Sequence, residues 1–174
     1  MNKKIFKPIV AALFLAIVCI TTFVIQIPSA LTGGYINMGD CFVLLSGVVL
    51  GPFYGFLAAG LGSALADIMF GYAVYVPGTF IIKGLMALIV ALAFAKTKDK
   101  PSIFKFFLFG AISEIVMVSS YFLYECFILN YGIGAAVGIP GNIFQGFFGV
   151  ISSTLLLQII SKNIKLKNLL NWRD

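Results

Sequence analysis

Five ionisable residues sit inside long apolar runs of this sequence: Asp40, Asp67, Lys83, Glu114 and Glu125. An ionised Asp or Lys at the centre of a membrane helix costs roughly 2.5–3.5 kcal/mol on insertion scales. Such groups face inward and find partners. Asp67 and Lys83 fall at similar depth on consecutive predicted helices, so an ion pair between them is expected, either structural or part of a binding site. Glu114 and Tyr121 rise two turns apart on one helical stripe. Asn142, Gln145 and Gly149 share a face, just after Pro140, a residue suited to a first helical turn. Both amides donate and accept, which suits a neutral heterocycle with mixed edges.

Tyr35, Tyr72, Tyr75, Tyr121, Tyr124 and Tyr131 gather toward one side of the predicted scaffold. They read as an interfacial aromatic belt or as stacking surfaces for a flat ligand. Catalysis is not indicated. The sequence has no His, which removes the usual general base and metal ligand. It holds no HExxH, GxSxG or phosphate-binding loop. No catalytic residue, metal site or cofactor is therefore expected. Cys19, Cys41 and Cys126 lack CxxC spacing and read as buried, inert thiols.

The elements that must position these residues are membrane helices. The chain is 61% hydrophobic and only 10% charged, with mean hydropathy +1.08. No soluble domain hides that much apolar surface. The apolar runs are continuous and about twenty residues long, which excludes the alternating strands of a barrel. We read an all-α integral membrane protein, one domain over residues 1–174. The expected helices are about 7–27, 39–50, 52–70, 77–95, 103–128 and 140–161. The first run follows Lys3, Lys4 and Lys7 as in a signal peptide, but it is too long and lacks a small-residue cleavage site.

The stretch from Gly33 to Gly71 decides the number of crossings. It is broken at Gly51-Pro52, either a kink or a reversal. A kink gives five crossings and puts the basic loop 96–105 opposite the N-terminus. A reversal gives six, with both termini cytoplasmic. Eleven of the twelve basic residues then share the cytoplasmic side, Lys83 being the exception. The reversal is therefore expected, and Gly-Pro suits it. The second helix is then short, about 18 Å at 1.5 Å per residue. The segment before it, with Gly33, Gly34 and Asn37, must fold into the outer half of the bundle and could act as a lid. The charge of +6 serves topology, so no nucleic-acid partner is expected.

Small residues recur at four-residue spacing: Ala12 and Ala16, Gly55 and Ala59 with Gly62, and Ala87, Ala91 and Ala95. They let helices approach closely. The order of Ala12-xxx-Ala16, YINMGD, GPFYGFLAAGLGSALADI and PGTFIIKGLMAL resembles the S components of energy-coupling factor (ECF) vitamin transporters. The resemblance covers nearly the whole chain and is strongest over residues 33–95. It implies a multi-pass protein of the bacterial cytoplasmic membrane with a vitamin in its outer half. It also implies that Ala12 and Ala16 face a transmembrane coupling subunit driven by two cytosolic ATPase subunits. Members for riboflavin, pyridoxine-like or hydroxymethylpyrimidine ligands look most similar. S components share the scaffold and not the pocket.

Two functions are open on this reading. One is a binding subunit for a small water-soluble vitamin, with Asn37, Asp40, Tyr75, Lys83, Glu114, Tyr121, Asn142 and Gln145 as candidate ligand contacts. The other is a structural or assembly protein whose polar residues only pair internally.

Overall fold

The computed structural model describes residues 3–24, 26–28, 35–95 and 102–162. Gly33, Gly34, most of the basic loop after Ala95 and the basic tail after Lys162 lie outside the described residues. The elements are α1 Lys3–Val24, β1 Gln26–Pro28, β2 Tyr35–Asn37, α2 Asp40–Phe70, α3 Val76–Phe94, α4 Ile103–Leu123 and α5 Ile139–Lys162. A π-helical turn, Tyr124–Ile128, extends α4, and a 3-10 segment, Gly132–Gly138, leads into α5. Among the described residues, five helical stretches are long and apolar enough to cross a membrane.

α2 is not one rod. At Gly51 the backbone leaves the helix, with φ 78° and ψ −174°. That region is open essentially to glycine alone. Ser46 Oγ lies 3.3 Å from the Gly55 carbonyl and donates to it. In an unbroken helix two residues that far apart would be separated by about 13 Å along the axis. The chain therefore doubles back at Gly51, and the arms 40–50 and 52–70 lie side by side.

The first arm forms the centre of the bundle. From Asp40 to Leu50 every residue except Phe42 is buried. It is apolar on all sides, as a helix enclosed by protein should be. Leu44, Val43 and Val48 pack there with Met86 and Val90 of α3, Phe106 and Met117 of α4, and Leu157 of α5. Gly47 touches the backbone of α3: a Cβ there would come within 2.2 Å of the Ala87 carbonyl. Small residues thus bring α2 and α3 together, as the spacing of Ala87 and Ala91 predicts. Outside this centre the side chains turn apolar faces outward. Phe53, Phe104, Ile115 and Phe147 are each more than half exposed, as lipid-facing residues would be.

Part of the segment between α1 and α2 is strand. α1 ends at Val24 rather than near residue 27, because β1 begins at Gln26. β1 and β2 pair antiparallel, Gln26 with Asn37 and Pro28 with Tyr35. The short ladder satisfies backbone groups that lipid could not.

Candidate ligand-binding cavity

A cavity of about 140 Å³ opens at one end of the bundle. Five helices and β2 converge on it. α1 contributes Thr22 from its last turns, and β2 contributes Tyr35 and Asn37. The second arm of α2 brings Ser63 and Asp67, one turn apart on one face. Asp67 is placed by the helix end, where the Tyr72 N–H donates to the Asp67 carbonyl at 2.9 Å. α3 opens at Val76-Pro77, a proline suited to a first turn. Behind it stand Tyr75, Thr79 and Lys83. α4 and its π-helical turn supply Tyr121 and Glu125, and α5 supplies Asn142 and Gln145.

The floor is a closed ionic network. Lys83 is 1% exposed and donates to Asp40, which is fully buried. Gln145 Nε2 donates to the other Asp40 oxygen at 2.6 Å. Gln145 Oε1 in turn accepts from the Asn37 backbone N–H at 2.8 Å. Asn37 Oδ1 accepts from the Gly39 N–H at 2.9 Å, just before α2 begins. One acid thus ties α2 to α3 and α5, and one amide ties α5 to β2. Room for Asp40 comes from Gly149, whose missing Cβ would stand 2.8 Å from the Asp40 Cβ.

The walls carry acids held by phenols. The Tyr35 hydroxyl donates to Asp67 Oδ1 at 2.5 Å. The Tyr75 hydroxyl donates to Glu125 Oε1 at 3.2 Å. Burial, and then the neighbouring carboxylate, push both tyrosine hydroxyls above their ordinary range, so both stay protonated donors. Thr79 and Tyr121 share a hydrogen bond of 3.0 Å. Lys83 Nζ stands 5.7 Å over the Tyr121 ring, within range of a cation–π contact.

The ion pair expected between Asp67 and Lys83 is not formed. Lys83 pairs with Asp40 instead. The reversal at Gly51 sets the start of α2 beside α3, a neighbour that comparing consecutive helices overlooks. Of the candidate contacts, Asn37, Tyr75, Lys83, Tyr121, Asn142 and Gln145 line the cavity. Asp40 lies one layer beneath, reached through Lys83 and Gln145. Glu114 lies outside the cavity. It is 5% exposed, and neither carboxylate oxygen has a hydrogen-bond partner. It abuts Gly146 and Gly149 on the far side of Asp40 and borders an apolar furrow between α4 and α5 with Phe107, Val118 and Phe147. Tyr121, two turns further along α4, lines the cavity, whereas Glu114 sits too deep to reach it.

Thr22, Tyr35, Ser63, Asp67, Thr79 and Glu125 also line it, and the candidate set lacked them. A signal for most was present. Ser63 and Asp67, Thr79 and Lys83, and Tyr121 and Glu125 are all polar pairs one turn apart near a helix end. The π-helical turn turns Glu125 inward, to 4% exposure, and nothing in the sequence announces that turn.

The family model for the ECF-type riboflavin transporter S component matches residues 2–162. The chain belongs to this S component family. An uncharacterised protein of Pyrococcus woesei is 35% identical over 148 residues, covering 84% of this chain and 96% of that one. Among solved structures, the S component of a bacterial ECF transporter superposes with a TM-score of 0.71 at 23% identity. That match covers 91% of this chain and 97% of the other, and at this identity it speaks to the fold. As an S component, the protein is a membrane-spanning, substrate-binding subunit of a vitamin transporter. The cavity is where such a scaffold, apolar nearly throughout, concentrates its polar side chains.

Proposed function

We propose that the protein captures a small water-soluble vitamin or precursor in this cavity, for ATP-driven uptake by partner subunits. The candidates are pyridoxine-like compounds, hydroxymethylpyrimidine and riboflavin. The observation that carries the reading is a polar cavity with unmet hydrogen-bonding capacity. Buried polar groups are normally paired, yet Thr22, Ser63, Asp67 and Glu125 each keep a buried oxygen without a protein partner. A purely structural protein gives no reason to keep four such groups around one space.

The arms of α2, counted separately, make six crossings. The cavity then faces outward. Lys7, Lys105 and Lys162 stand at helix ends remote from it; Lys7 is about 22 Å from Thr22 along α1 at 1.5 Å per residue. The excess of positive charge marks that remote side as cytoplasmic. Ala12 and Ala16 support a partner role, because both are exposed side by side on α1. The partners on this reading are the transmembrane coupling subunit and two cytosolic ATPase subunits, and the location is the cell membrane.

The test is purification in detergent followed by mass spectrometry of small molecules that come with the protein. A vitamin or precursor near one-to-one stoichiometry is expected. Protein that associates with no small molecule, and binds none of the three candidates in titration, overturns the reading.

A further inference from the structure

Two side-chain hydrogen bonds clamp the end of α4 to the start of α3. The Tyr124 hydroxyl donates to the Val74 carbonyl at 2.6 Å. The hydroxyl of the adjoining Tyr75 donates back, to Glu125 Oε1 at 3.2 Å. Two consecutive residues of one element thus grip two consecutive residues of the other.

The clamp holds a turn of unusual width. The Leu129 N–H donates to the Tyr124 carbonyl, and the Tyr131 N–H to the Glu125 carbonyl, each at 3.0 Å. Both bonds reach further back along the chain than the four residues of an α-helix, and such wide turns are rare. Within this one, Glu125 is buried and lines the cavity, whereas Phe127 and Ile128 are each more than half exposed. The turn therefore sends one acid inward and its apolar neighbours outward. Glu125 Oε2 has no protein partner.

Tyr124 does not line the cavity itself, yet its place is closely shaped. Its ring lies against Gly78, where a Cβ would come within 2.8 Å of the ring. A tyrosine that only anchored a helix at the membrane surface would need neither a glycine under its ring nor a bond to the neighbouring helix.

Resting on the proposed function, we propose that Tyr124 is a positioning residue for ligand binding. Seated on Gly78, it holds the wide turn against α3 and keeps Glu125 in the cavity wall. One Glu125 oxygen is then engaged by Tyr75 and the other is left to the ligand. Tyr124 acts through Glu125 and does not touch the ligand.

The experiment is isothermal titration of the purified, intact protein with riboflavin, pyridoxine and hydroxymethylpyrimidine; the one that the wild type binds most tightly is the probe for the variants. Tyr124→Phe removes the bond to Val74 and should weaken binding by about three- to tenfold. Gly78→Ala displaces the ring and should weaken it by about tenfold or more. Phe127→Ala, in the same turn but facing outward, should leave affinity unchanged. In a Glu125→Ala background, Tyr124→Phe should have little further effect, because residues that act as one unit are not additive. Thermal unfolding checks that each variant folds. If Gly78→Ala fails to fold, or Glu125→Ala binds too weakly to titrate, the contrast between Tyr124→Phe and Phe127→Ala decides. Unchanged affinity in Tyr124→Phe overturns the inference and leaves the proposed function standing. An equal loss in Phe127→Ala overturns it too, as does a full effect of Tyr124→Phe without Glu125. A wild type that binds none of the three and carries no small molecule overturns the proposed function and this inference with it.

Discussion

Lys83 on α3 donates to Asp40 in the first turn of α2, 43 residues earlier in the chain. Both side chains are 1% exposed, and Asp40 also accepts from Gln145 on α5. Taking two charges out of water is costly unless the pair is well placed and its remaining hydrogen-bonding capacity is met. The pair therefore fixes three helices around the cavity floor at one point.

Removing one partner should cost far more than removing both. Lys83→Met leaves a buried carboxylate without its cation, a loss of about 3–5 kcal/mol in comparable cases. The double variant Lys83→Met with Asp40→Leu leaves no charge behind and should recover much of that loss. Thermal unfolding of the purified variants in detergent is the measurement. Equal destabilisation in single and double variants would show that the network's worth is not electrostatic.

Gln145 and Asn142 should separate stability from binding. Gln145 bridges Asp40 and the Asn37 backbone, so Gln145→Ala leaves a buried acceptor and a buried donor unmet. Each costs about 1–3 kcal/mol, and the variant should lose stability as well as affinity. Asn142 lines the cavity, and among the described residues its amide makes no hydrogen bond. Asn142→Ala should therefore unfold as the wild type does while binding its vitamin roughly five- to 150-fold more weakly. Unchanged affinity in Asn142→Ala would place the ligand away from α5.

The sequence disclosed the scaffold better than the site. Long uncharged runs reveal helices because lipid leaves the backbone no other open choice, and the S component resemblance rested on residues spread over the whole chain. Gly51-Pro52 signalled a break, but the partner of Lys83 depended on what the break brings together. Depth along consecutive helices favoured Asp67; the packed reversal delivers Asp40. Glu114 was misleading for a related reason. Glu114 and Tyr121 stand two turns apart on α4, but how far down the bundle the cavity extends depends on the Asp40–Gln145 network closing its floor. The acids left partly free, Asp67 and Glu125, were visible as residues and not as a pair. Their convergence needs the helix end at Asp67 and the π-helical turn at Glu125.

Gly51→Ala tests the reversal. A Cβ at Gly51 would meet nothing within 4 Å, so no clash contributes. The penalty is conformational alone, since φ 78° with ψ −174° costs other residues about 1–3 kcal/mol. A loss of stability in that range is expected by thermal unfolding, whereas Phe53→Ala, at a largely exposed neighbour, should change little. If Gly51→Ala is as stable as the wild type, the backbone there does not hold the reversal.

Sidedness can be read by single-cysteine labelling in a background without the three native cysteines. Tyr131 is 45% exposed and follows the π-helical turn at the cavity end. A cysteine there should react with an impermeant reagent in intact cells. One at Lys98, in the basic loop outside the described residues, should react only after the membrane is opened. External labelling at position 98 would contradict six crossings.

Ala12 and Ala16 present the last test. They lie one turn apart on α1 and are both exposed, while Val18 and Val10 on the same helix are buried in the bundle. The two alanines therefore do not serve internal packing, and bulk added there points away from the core. Close approach of two membrane helices depends on small side chains at the contact. Ala12→Trp and Ala16→Trp should each weaken co-purification with the transmembrane coupling subunit and slow uptake. Ligand affinity of the isolated protein should stay as in the wild type, because the cavity draws on α1 only through Thr22, about 9 Å beyond Ala16 along the helix. Undiminished complex formation in both variants would move the partner interface to another face. A loss of ligand binding alongside would mean that α1 serves the fold and not the partner.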